Sequence, residues 1–162
     1  MAKFNGKVLM RIFVSLVLSL VLLSCGSARK AQVRKQKVDT VIKTAQSYTG
    51  TPYKWGGTTR TGMDCSGLLC NSFAAVGYEL PRTSEVQATI GEKVKLKNIE
   101  PGDLVFFATG KKKRRITHVG LVTSVRGDKV RFIHSSSSLG VVESDLLSEY
   151  YLKRFRTARR PF

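Results

Sequence analysis

This chain of 162 residues has only two histidines, three cysteines, one tryptophan and four prolines. So few histidines and cysteines weigh against a structural metal centre, which prefers four ligands in close pairs. A zinc site built from Cys65, His118 and His134 would lack its fourth ligand, and no metal or cofactor is expected. A disulfide scaffold is also excluded. Cys65 and Cys70 stand five apart on one predicted helix and face different ways, which disulfide geometry does not tolerate. No apolar run is long enough for a comfortable membrane span: Ile12 to Leu23, broken by Ser15 and Ser19, falls short of the roughly 20 residues required. Acidic residues are scarce, 11 against 28 basic, and the net charge is +17. No internal repeat is visible, and the length suits one ordinary domain rather than two.

What is present begins with an export signal. Lys3, Lys7 and Arg11 precede the apolar run as a basic n-region, and the run fits an h-region. Leu22-Leu23-Ser24-Cys25 then resembles a bacterial lipobox, which implies cleavage before Cys25 and lipid on its thiol. Two or three acyl chains would hold the protein at a membrane, where one chain alone is marginal. The expected organisation is a signal peptide over 1–24, a basic tether over 25–37 and a domain over 38–162. Gly26-Ser27 lacks an aspartate for inner-membrane retention, so the periplasmic face of the outer membrane is expected. A single-membrane cell would place the protein on its outer face. So basic an exported chain suits an anionic polymer or surface, and the export signal argues against nucleic acid.

The remaining pattern is helices first and strands afterwards, an α+β arrangement with helices on an antiparallel sheet of five to six strands. Val38, Val41, Ile42, Ala45 and Tyr48 recur at helical spacing. Asp64 reads as an N-cap, which makes Cys65 the first helical residue, and Cys65, Leu68, Leu69, Phe73 and Val76 share one face. Thr83 caps a short helix running to about Ile90. Strands are expected at 103–108, 117–125, 129–135, 140–143 and 150–156. Trp55 and Cys70 read as packed residues. The run Lys111 to Arg115 is a basic loop close in sequence to His118.

His118 and His134 are symmetric about residue 126, inside a predicted turn, so they sit on neighbouring strands and nearly opposite. His118, Gly120 and Val122 share one face, as do Val130, Phe132 and His134, and the Cys65 helix is the expected cover for that face. The layout suits nucleophilic catalysis. A thiol is a weak nucleophile until ionised, and a helix N-terminus with a neighbouring imidazole favours ionisation. His118 would move the proton, His134 would orient His118, and the Cys65 backbone N–H would meet an oxyanion. Asp64 opposes thiolate formation, unless it also holds a cationic group of the substrate.

Several motifs then fall in order: Pro52-Tyr53-Lys54-Trp55-Gly56-Gly57, Asp64-Cys65-Ser66-Gly67, Leu80-Pro81-Arg82-Thr83-Ser84, Pro101-Gly102-Asp103, His118-Val119-Gly120 and Phe132-Ile133-His134-Ser135. Together they resemble the NlpC family of bacterial cell-wall cysteine peptidases. The resemblance implies a papain-like fold and hydrolysis of peptidoglycan stem-peptide or crosslink amides by a monomer. It implies Cys65 as nucleophile, His118 as base and His134 as third member. It also implies Tyr53 at the oxyanion site, and Asp64, Arg82 and Ser84 along the stem-peptide groove. Both the D-alanine–diaminopimelate crosslink and the γ-D-glutamyl–diaminopimelate bond remain candidates. The competing reading is a murein-binding lipoprotein without catalysis, which would not need an intact Cys-His-His set.

Overall fold

The computed structural model describes residues 6–162, without the side chains at 7–9 and 12–27. The side chain of Cys25, where lipid is expected, and those of most of the expected signal peptide therefore lie outside the described residues. The chain divides into two compact units, 1–36 and 37–162. Helix α1 spans Gly6–Gln46, so the segment expected as a loose basic tether is helical. Among the described residues, no helix is long and apolar enough to cross a membrane.

In the second unit the last turns of α1 bury Val41 and Ala45. A short ribbon follows, β1 (Thr58–Thr59) against β2 (Gly62–Met63), then helix α2 (Cys65–Ala74) and the single-turn α3 (Ser84–Gln87). Strand β3 (Glu92–Val94), β4 (Leu104–Phe107), β5 (His118–Arg126), β6 (Lys129–Ser136) and β7 (Gly140–Asp145) come next. The short helix α4 (Glu149–Arg154) and strand β8 (Phe155–Arg160) end the fold. The six long-range strands form one antiparallel sheet in the order β3-β8-β4-β5-β6-β7.

Alternation along the strands builds two apolar layers. Leu104 and Phe106 of β4 join Val119, Leu121 and Ile133 under α2, whereas Val105 and Phe107 join Val122 and Phe132 on the other face. The cover of the histidine face is therefore not α2, as the sequence pattern suggested. The stripe Leu68, Leu69 and Phe73 packs on the aliphatic face, and Tyr151 and Phe155 close the histidine face. Gly120 explains the preference: a Cβ there would fall on the Phe132 ring, so that face is already filled by an aromatic lying over the strand.

The 150–156 segment also differs from expectation. Glu149 in the first turn and Lys153 and Arg154 in the last match the helix dipole, and the segment turns as α4 before β8 begins. Strand β3 was not anticipated; among the described residues its one sheet partner is β8.

Candidate active site

Two backbone elements carry the thiol. Asp64 caps α2: its Oδ1 accepts from Gly67 N–H at 2.7 Å and from Ser66 Oγ at 3.1 Å. The preceding loop is clasped to this cap, since Gly56 N–H donates to Asp64 Oδ2 (2.9 Å) and Asp64 N–H donates to the Gly57 carbonyl (3.1 Å). Tyr53 is held in the same clasp by a parallel bridge to Met63. Loop and helix start are thus locked around Cys65, which is 7% exposed.

Arg82 closes the cap from outside. It donates to Asp64 Oδ1 (2.9 Å) and Oδ2 (2.7 Å), a bidentate pair, and to Ser66 Oγ (2.9 Å). Asp64 therefore takes its cation from Arg82. Its bonds to Arg82 and to Gly67 N–H, opposed by burial, hold its carboxyl below the usual value. The expected cationic substrate partner for Asp64 is supplied by the chain itself.

The histidines meet although their strand positions are not opposite. Leu121 pairs with Ile133 and Arg126 with Lys129, with a bulge between Val122 and Ser124. The turn is Gly127-Asp128, with Gly127 at φ +54°. This register sets His134 two residues away from the position opposite His118, an even offset that keeps both rings on one face. Their rings share a hydrogen bond, His118 Nε2 to His134 Nδ1, at 2.9 Å. His134 stacks on Phe132 at 4.8 Å and 21°. Burial pushes His118 down to about 4; burial and the neighbouring His118 push His134 down to about 3.

Burial likewise pushes the Cys65 thiol up to about 11, with Asp64 adding to it and the backbone N–H groups of Val119, Ser66 and Cys65 opposing it. The resting site is therefore a neutral thiol beside neutral imidazoles at pH 7. Tyr53 is also shifted upward, by burial first and then by Cys65 and Asp64.

Two clefts meet at the thiol. One is lined by Cys65, His118, His134 and Tyr151, the other by Asp64, Arg82, Thr83 and Ser84; Tyr53, Trp55 and Cys65 belong to both. All seven sequence-derived site residues of the domain are thus gathered at these clefts. Trp55 is a correction: it is 85% exposed on their rim rather than packed, because its loop is held by backbone and by Asp64, not by the indole. Cys70 is half-buried, with its thiol 3.5 Å from the carbonyls of Leu80 and Pro81. The basic loop borders the site at its ends. Gly110 lines the histidine cleft, and Arg115 pairs with Glu85 at 3.2 Å beside a third cleft with Trp55 and Ser84.

Sequence reasoning missed Ser144 and Tyr151. Ser144 Oγ lies 2.9 Å and the Tyr151 hydroxyl 3.1 Å from His134 Nε2. Alternation on β7 could have found Ser144, which pairs with Phe132; Tyr151 was hidden by reading α4 as a strand.

A model of the NlpC/P60 family matches residues 50–160, a span that holds every one of these side chains. The chain belongs to the NlpC/P60 family. It is 36% identical over 158 residues to the probable endopeptidase NlpC of Escherichia coli, covering 93% of this chain and 99% of that protein. It is 41% identical over 130 residues to the bifunctional muramidase/DL-endopeptidase CwlT of Bacillus subtilis, covering 78% of this chain and 38% of that longer protein. A solved NlpC/P60 family protein from Bacillus cereus superposes with a TM-score of 0.68 at 33% identity, over 76% of this chain and 39% of the other. The α+β, papain-like architecture is shared with that structure.

Proposed function

We propose that this NlpC/P60 chain is a cysteine-type peptidase of bacterial peptidoglycan. The observation that carries this reading is a thiol at a helix N-terminus, at the junction of two clefts, beside a hydrogen-bonded histidine pair. The names of the relatives, a probable endopeptidase and a DL-endopeptidase, support the substrate class.

In this mechanism the Cys65 thiol gives its proton to His118 Nδ1, the nitrogen not engaged by His134. The thiolate sulfur adds to the scissile carbonyl carbon. The Cys65 backbone N–H and the Tyr53 hydroxyl face the oxyanion. The C–N bond breaks as His118 returns the proton to the leaving amine, leaving a thioester. Water, deprotonated by His118, then releases the acid and the thiol. Arg82 and Ser84 line the groove on the far side of the thiol, where a stem peptide would lie. The exposed cations Lys111, Lys112, Lys113 and Arg114 favour a substrate with free carboxylates. The Leu22-Leu23-Ser24-Cys25 motif supports lipid attachment at Cys25 and a place in the cell envelope.

The test is chromatography with mass detection of muropeptides from purified sacculi treated with the full chain in detergent. New fragments are expected with the wild type and none with Cys65→Ala or His118→Ala, and their masses name the bond. Binding to sacculi without fragments would instead favour the murein-binding lipoprotein.

A further inference from the structure

We propose that Ser144 and Tyr151 are positioning residues that complete a hydrogen-bond relay, accepting the Nε2 proton of His134 so that His118 presents a bare Nδ1 to Cys65. The proposal rests on the peptidase reading for its kinetic consequence only.

The argument is one of proton counting. Two neutral imidazoles joined Nε2 to Nδ1 share one N–H, so two arrangements exist. In the first, His118 Nε2 donates to His134 Nδ1, leaving His118 Nδ1 as an acceptor and His134 Nε2 as a donor. In the second, His134 Nδ1 donates, and His118 Nδ1 carries a proton and cannot act as a base. Only the first can take the thiol proton. Once His118 is an imidazolium both its nitrogens carry protons, and the first arrangement becomes obligatory. His134 Nε2 must then donate, and His134 is only 2% exposed. An N–H left there without an acceptor would be costly.

The acceptors are in place. Ser144 Oγ and the Tyr151 hydroxyl both lie within hydrogen-bond distance of that nitrogen, from β7 and α4 respectively. Ser144 also bonds to the Tyr151 phenol oxygen, lowering its pKa against the stronger effect of burial. The Tyr151 ring is fixed by Phe132 (4.8 Å, 85°) and Phe107 (5.3 Å, 58°), the same aromatics that support His134 and face His118. The relay therefore runs from thiol to α4 through four side chains on one face of the sheet.

Because the chain has only two histidines, nitrogen NMR of histidine-labelled full chain reads the relay directly at neutral pH. Wild type is expected to carry its protons on Nε2 of both rings. In Ser144→Ala/Tyr151→Phe, which keeps the packed ring, Nδ1–H population is expected to appear at both. With peptidoglycan fragments as substrate, kcat is expected to fall about tenfold or more, the worth of one hydrogen bond to a charged network, with KM unchanged. Ser144→Thr/Tyr151→Phe should restore both readouts. Unchanged nitrogen signals in the double variant, a wild type protonated at His118 Nδ1, or a change in KM alone would overturn the relay. Correct nitrogen signals in a wild type that cleaves no peptidoglycan would sink the peptidase reading and leave the relay standing.

Discussion

At the scale of single residues, the neutral thiol and imidazole decide the pH behaviour. Catalysis needs His118 unprotonated, which holds above about 4, and a proton on Cys65 to hand over, which holds below about 11. The kcat/KM profile is therefore expected to rise on the acid side and stay flat through neutrality. A narrow bell, with both limbs falling within about two units of neutrality, would contradict these values. Stability has its own pH dependence. Both histidines have folded values below the ordinary 6.5, so their stabilisation is present above about 6.5 and is lost as pH falls toward 4 and 3. Urea unfolding at pH 4.5 against pH 7 is expected to show a loss on the order of 5 kcal/mol, about halved in His134→Asn. Arg82→Ala removes the cation beside Asp64. Because the Arg82 side chain is 41% exposed, the expected cost in stability is only about 1 kcal/mol. Its larger effect falls on Cys65, whose alkylation at fixed pH should slow because the Asp64 charge is no longer offset.

At the scale of elements, the site depends on which layer each strand face meets. Gly120→Ala would push Phe132 out from under His134. The expected result is a loss of about 1–3 kcal/mol in thermal or urea unfolding, with a drop in kcat. The N-cap at Asp64, the Thr83 cap and the strands β4, β5, β6 and β7 were legible in the sequence, because capping and alternation are local signals. The same-face placement of His118 and His134 was legible too, although the bulge near Thr123 and the two-residue turn moved the register by two. Three features were not legible. Which helix covers which sheet face depends on the Gly120–Phe132 fit, a contact between strands. Helix α4 carries the strand-favouring Tyr150 and Tyr151 and runs into Phe155, and only its end charges speak for a helix. The exposure of Trp55 follows from how its loop is clasped, which composition does not report.

At the scale of the whole molecule, the full chain carries +17, and +14 once the three cations of 1–24 are removed, a charge that would favour encounter with an anionic wall. Exposed Lys111, Lys112, Lys113 and Arg114 beside the histidine cleft add to that field. Binding of Cys65→Ala to sacculi is expected to weaken steeply between about 0.05 M and about 0.5 M salt, as screening shortens the reach of surface charge. Salt-insensitive sedimentation with sacculi would place recognition in the clefts alone. The family match over 50–160 falls in the second unit, where thiol, histidines and clefts all lie. The claim at the centre of this account is a covalent step at one sulfur. Its most direct measurement is the mass of the Cys65-containing peptide after rapid acid quench of the full chain with peptidoglycan fragments. A transient mass gain equal to the acyl half of the cleaved fragment, removed by hydroxylamine, is the expected result. Fragments accumulating while that peptide stays unmodified at every time point, and forming as fast with Cys65→Ala, would contradict it.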